Sequence, residues 1–213
     1  AILNGIAKDG GLYTPNHLGS FSLCESDQNL DYKALAQKVL TFFLDDFSED
    51  EIDLVLKDCY GKEDFIPDVV GLNKIGDFHL LSLYHGPTFA FKDMALSVIS
   101  PLFNMAKKKQ DNDKRNIILT ATSGDTGSAT LSGFDKDAKT NVIVLYPNDM
   151  VSKFQESQMH YFSSHKNHVI AIDGNFDDCQ NIVKQAFSEI KLDHVVLSSA
   201  NSINIARIIP QVV

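Results

Sequence analysis

Two kinds of hydrophobic spacing divide this chain. Up to about residue 80, apolar residues recur at helical intervals between irregular stretches. Leu35, Val39, Phe42 and Phe43 fall on one face of a helix that follows Asp31. Ser48-Glu49-Asp50-Glu51 reads as a capping box, in which the serine accepts from a free backbone N–H and the glutamate reaches back. Ile52, Val55, Leu56 and Cys59 then form the buried stripe of a second helix, and Gly61 is placed to end it. Leu80, Leu81, Leu83 and Tyr84 predict a short strand.

From about residue 86 the pattern alternates between helix and strand. Met94 to Lys109 has helical spacing, and Ile117-Ile118-Leu119 is an apolar strand running into Thr120-Ala121-Thr122. A helix follows through Ala129, Leu131 and Phe134, and the next strand is Val142 to Tyr146. Ser152-Lys153-Phe154-Gln155 is a capping box opening another helix. Then come a strand at Val169 to Ile172, a helix from Phe176 to Ile190 capped by Asn175 or Asp177, a strand at Val195 to Leu197 and a last helix beginning near Ile203. Short apolar strands alternating with helices predict an α/β fold, a parallel twisted sheet with helices on both faces. The expected division is a mainly helical region, residues 1–80, followed by an α/β domain, residues 81–213. Ligands of such sheets sit beyond the carboxyl ends of the strands, and two polar segments fall there, Ser123 to Gly127 and Ser198 to Asn204.

Composition narrows the partners. The 213 residues are 44% hydrophobic and 22% charged, ordinary for a globular chain, and the formal net charge is -9. An acidic balance argues against nucleic acid, whose phosphates need clustered Lys and Arg. The one basic run, Lys107-Lys108-Lys109, lies where cations offset the negative end of a helix. Cys24, Cys59 and Cys179 are odd in number and widely spaced, which predicts neither a disulfide framework nor a metal site. No apolar run approaches the ~20 residues that cross a bilayer, so a reducing cytoplasm is the expected compartment, with no membrane partner.

Three segments carry candidate chemistry. In Thr122-Ser123-Gly124-Asp125-Thr126-Gly127, glycines let the backbone approach a ligand, and N–H groups at the helix start can bind an anion. A plain strand-to-helix turn with polar caps fits the same residues. In His85-Gly86-Pro87-Thr88-Phe89-Ala90-Phe91-Lys92-Asp93, Lys92 would stand at or near a helix start, where the dipole disfavours a cation and favours the free amine that imine formation requires. The plain alternative is a solvated lysine whose stem packs on Phe89 or Phe91. Ser198 to Arg207 is rich in small polar groups and ends on one of two arginines, which can fork onto a phosphate or carboxylate or simply sit on the surface.

The segment HGPTFAFKD resembles the lysine motif of threonine synthases, and TATSGDTGSA their substrate-binding turn. VIVLYP, VIAIDGNFDDCQNIVKQAF and SANSINIARIIPQ follow in that family's order, and Gly11-Leu12-Tyr13-Thr14-Pro15 resembles its opening. The resemblance implies a fold-type-II enzyme dependent on pyridoxal 5′-phosphate that converts O-phospho-L-homoserine and water to L-threonine and phosphate. On it, Lys92 would carry the cofactor and shuttle protons. Asp125 would face the cofactor's 3′-oxygen, and Thr88 and Phe91 would line its pocket. Ser123, Gly124, Thr126 and Gly127 would grip the substrate carboxylate, with Asn201, Ser202, Asn204 and Arg207 as candidates for its phosphate. Other fold-type-II enzymes of the serine/threonine dehydratase or cysteine synthase type, or a non-catalytic truncated paralogue, are the alternatives, and HGPT-x-AFKD with the Asp of SGDTG argues against the first two. Family members are roughly twice as long, with a glycine-rich loop for the cofactor phosphate downstream. Gly174-Asn175-Phe176 does not match that loop, so the 213 residues are expected to be inactive alone.

Overall fold

The computed structural model describes residues 1–57, 59–61 and 63–213. Helix α1, Tyr32–Phe43, begins where Asp31 accepts from the backbone N–H of Ala34 at 2.8 Å. Its fully buried residues are Ala36, Val39 and Leu40, a stripe rotated from the expected one, with Leu35, Phe42 and Phe43 half-buried at its edge. Helix α2, Glu49–Lys57, has the predicted capping box, with Ser48 N donating to Glu51 and Glu51 N to Ser48 Oγ. Ile52, Val55, Leu56 and Cys59 are buried as expected. Gly61, however, does not terminate α2, whose last residue is Lys57, four positions earlier.

The predicted strand near Leu80 is β2, Phe78–Ser82, paired antiparallel with β1, Gly71–Ile75, through a turn in which Gly76 takes φ 61°. The sequence reading missed β1, whose Gly-Leu-Asn-Lys-Ile has little strand signature, and Leu72, Ile75, Phe78, Leu80 and Leu81 are all exposed.

The α/β unit follows the predicted order: α3 (Asp93–Lys109), β3 (Arg115–Ala121), α4 (Asp125–Gly133), β4 (Thr140–Pro147), α5 (Lys153–Tyr161), β5 (Asn167–Ile172), α6 (Phe176–Glu189) and β6 (Val195–Ser198). The last helix, α7, starts at Ile205 and is a single turn, Ile205–Ile208, running into a 3-10 turn. Strands β5, β4, β3 and β6 form one parallel sheet in that order. Side chains alternate across it. Ile118, Val142, Val144 and Tyr146 point to a core shared with α3 and α4, while Leu119, Ala121 and Leu145 pack on Cys179 and Val183 of α6. Both faces are thus covered, which is why these strands read as continuous apolar runs. Leu40, Ile52 and Leu56 share the first core with Leu96, Ile99 and Phe103, so the N-terminal helices pack on α3.

At the end of α3, Lys109 bonds Glu51 at 2.6 Å, and Lys107 is buried against the Lys114 carbonyl. The basic run therefore ties α3 to its neighbours as well as facing its dipole. No helix among the described residues is long and apolar enough to cross a membrane.

Strand order decides where a ligand can sit. From β3 the chain moves outward through β4 to β5, then α6 carries it back to β6 on the other side of β3. The connections leaving β3 and β6 diverge, and the crevice of such a sheet opens at that switch point. Both polar segments singled out from the sequence lie there.

Candidate functional site

The turn after β3 is organised by Thr122. Its buried hydroxyl accepts from the N–H groups of Gly124 (3.0 Å) and Gly127 (2.9 Å). Gly124 adopts φ 142°, and a Cβ there would lie 2.4 Å from the Gln155 side chain, so only glycine fits. At Gly127 a Cβ would meet Met159, Thr122 and Val144, which lets α4 lie close on the sheet. With those two donors spent, the backbone N–H groups of Ser123, Asp125 and Thr126 have no hydrogen-bond partner among the described residues. They stand together at the N-terminus of α4, where partial positive charge favours an anion. Of the four residues expected to grip a carboxylate, Gly124 and Gly127 shape the turn, while Ser123 and Thr126 still offer donors, joined by Asp125 N–H.

Lys92 arrives from the other side. It is the residue immediately before α3, as its sequence setting predicted. Asp93 builds the loop leading to it. The Asp93 carboxylate is buried and accepts from Thr88 N–H at 2.8 Å and Thr88 Oγ at 2.6 Å. Gly86 passes so close to Asp93 that a Cβ would lie 2.5 Å away. Burial holds the Asp93 carboxyl above its usual range, with the two Thr88 bonds pulling the other way. Lys92 Nζ then lies 3.4 Å from Asp125 Oδ2 and 4.5 Å from the Phe91 ring centroid, with 22% of its side chain exposed. Phe91 is open to solvent beside it, whereas the Thr88 side chain is buried against Asp93.

Helix α5 closes the arrangement. Gln155 Nε2 donates to Asp125 Oδ1 at 2.6 Å, and Gln158 Nε2 donates to the Thr88 carbonyl at 3.0 Å. One helix therefore holds both the turn after β3 and the lysine loop. The sequence reading missed these two glutamines. It used Gln155 only as a helix cap, and nothing in local spacing indicates that α5 lies against Asp125. Asp93 was overlooked as well, although a carboxylate at the first position of a helix, directly after the lysine, was a usable signal.

The segment after β6 is knitted into the protein. Asn201 accepts from Thr120 Oγ1 at 2.6 Å and donates to the Ala121 carbonyl at 2.9 Å. Asn204 is fully buried, donates to the carbonyls of Ile2 and Ser199, and caps α7 through Ala206 N–H. Arg207 is buried and bonds Gln211, and its guanidinium is pushed down to about 10 by burial, with the Asp93 charge opposing. Ser202 is exposed.

The site thus sets a helix-start lysine opposite a turn with free N–H groups, at the switch point of a parallel α/β sheet. Comparison with known proteins shows which proteins share this arrangement. A family model described as threonine synthase N terminus matches residues 1–60. A threonine synthase of Pseudomonas aeruginosa is 38% identical over 218 residues, covering 100% of this chain and 46% of the relative. The crystal structure of threonine synthase from Escherichia coli superposes with a TM-score of 0.83 at 34% identity, over 99% of this chain and 48% of that one. A PLP-bound threonine synthase from Brucella melitensis gives 0.82 at 36% identity, over 99% and 46%. The resemblance read from the motifs is borne out: from end to end the chain matches the N-terminal part of threonine synthases, and it spans about half the length of those relatives.

Proposed function

We propose that these residues form the lysine-bearing side of a threonine synthase active site, acting on O-phospho-L-homoserine and water to give L-threonine and phosphate. The observation that carries this reading is the meeting of Lys92, Asp125 and three unpaired N–H groups at the switch point.

The residues fit pyridoxal phosphate at its aldehyde end. Lys92 offers a partly exposed primary amine, Asp125 a carboxylate beside it, and Phe91 an open aromatic face. When bound, the cofactor supplies an electron sink for a carbanion on the amino-acid substrate. Lys92 would hold it and, once displaced, move protons at the substrate carbons. The N–H groups of Ser123, Asp125 and Thr126 would bind the substrate carboxylate and fix its orientation. Among the residues expected at the substrate phosphate, Ser202 is the open one, while Asn201, Asn204 and Arg207 stiffen the wall behind it. Gly174-Asn175-Phe176 offers no cradle for the cofactor's own phosphate: Asn175 caps α6, and Asp178 occupies the Asn175 N–H at 2.8 Å.

Incubation with pyridoxal phosphate, borohydride reduction and peptide mapping should place the pyridoxyl group on Lys92. Labelling mainly on another lysine would sink the assignment. The 213 residues alone are expected to release no threonine or phosphate from O-phospho-L-homoserine, and turnover near that of a full-length relative would overturn that expectation.

A further inference from the structure

Among the described residues, three helix starts carry a capping box closed by hydrogen bonds in both directions. In two of them the third helical residue is acidic: Glu51 with Ser48 and Asp178 with Asn175. In the third, Ser152 with Gln155, it is an amide. Capping alone takes Glu as readily as Gln, and Glu adds a favourable charge at the positive helix end. The use of Gln at this box calls for another reason.

The hydrogen bonds supply one. Gln155 Oε1 accepts from Ser152 N–H at 3.3 Å and from Ser152 Oγ at 3.0 Å. A backbone N–H can only donate, so the amide oxygen must face Ser152 and the NH2 must face away. That NH2 reaches Asp125 Oδ1 at 2.6 Å, while the other Asp125 oxygen faces Lys92 Nζ at 3.4 Å. The Gly124 backbone runs directly under the same side chain, where a Cβ would lie 2.4 Å from it. The helix cap thereby sets the direction of the Asp125 carboxylate.

We infer that Gln155 is a positioning residue: its capped amide acts as an obligate donor that turns the Asp125 carboxylate toward Lys92. This rests on the reading of Lys92 as the cofactor lysine. Gln155→Glu separates the two jobs. It keeps a proper capping box, so a pure cap would lose nothing. It also replaces a donor by a second carboxylate at hydrogen-bond distance from Asp125, which must then turn away or share a proton.

Two measurements test this. First, in cofactor-free protein, the side-chain NH2 resonances of Gln155 should be displaced from solvent-like positions and should move there on Asp125→Ala; resonances already solvent-like in the unmodified protein overturn the inference. Second, Gln155→Glu should keep the melting temperature and far-ultraviolet circular dichroism while slowing pyridoxal-phosphate labelling of Lys92 by about tenfold, the scale of one hydrogen bond to a charged group. In an Asp125→Ala background the same substitution should have no further effect, because Gln155 acts through Asp125. Unchanged labelling in Gln155→Glu, or an equal loss in the Asp125→Ala background, overturns the inference. If the unmodified protein labels on a different lysine, the proposed function fails, and the first measurement still decides the role of Gln155.

Discussion

The turns after β3 and β6 lie side by side at the carboxyl end of the sheet and are built from the same small polar residues, yet they spend their hydrogen bonds in opposite ways. After β3, Thr122 satisfies two N–H groups and leaves three without a partner, all at the start of α4. After β6, Asn201 and Asn204 are committed to carbonyls and N–H groups of the protein, one of them as distant in sequence as Ile2. Groups that bind a ligand must keep unmet hydrogen-bonding capacity, whereas buried polar groups are stable only when satisfied. The first turn therefore keeps the capacity that the proposed binding role needs, and the second spends its own on bracing the fold. Substitutions in the second should cost stability, and those around the first should cost binding.

The largest stability effect is expected from Asn204→Ala. It removes the donor from the carbonyls of Ile2 and Ser199 and the cap of α7. Leaving buried groups unsatisfied and losing a cap should destabilise by about 3 kcal/mol, read as a lower urea midpoint. A change below about 0.5 kcal/mol, the range of ordinary surface substitutions, would contradict a bracing role. Gly124→Ala should follow at about 2 kcal/mol, because a side chain at φ 142° is strained and would press on Gln155. Here labelling of Lys92 should fall too, since Gln155 cannot move without releasing Asp125. Asp125→Ala should invert the balance. Its carboxylate bonds Lys92 and Gln155 rather than a helix N–H. Stability should change by less than about 0.5 kcal/mol while pyridoxal-phosphate labelling of Lys92 drops. A loss of about 1 kcal/mol or more with normal labelling would identify a structural cap instead.

The smallest effect concerns Asp93, which links the two sides by holding Thr88 while lying near Arg207. Burial raises its carboxyl above the ordinary value of 3.8. A carboxyl that holds its proton more tightly in the folded chain makes stability decline as pH rises from that ordinary value through the raised one, and level off above it. Asp93→Asn should flatten this part of the stability profile. An identical slope in chemical denaturation of both proteins over that window would show that Asp93 does not carry it.

Much of this was legible in the chain itself. The alternation of apolar runs determined the parallel sheet, because strands covered on both faces need apolar residues at every position, and Ile118 and Leu119 do point to opposite cores. Local signals placed the caps at Ser48 and Ser152, set a helix after Asp31 and left Asn175 or Asp177 for α6, of which the structure uses Asn175, since capping involves residues three apart. The motifs picked out Lys92 and the Ser123 to Gly127 turn. What local spacing could not supply was the partner of each group. Strand order set β6 beside β3 and so brought Asn201 to Thr120, residues 81 positions apart. Packing of α5 brought Gln155 to Asp125 and Gln158 to Thr88. The hairpin strand β1 likewise exists through its pairing with β2 more than through its own residues. Periodicity and capping act over a few residues and can be read along the chain; whether a polar group is left for a ligand or spent on the fold depends on neighbours that only the tertiary structure provides.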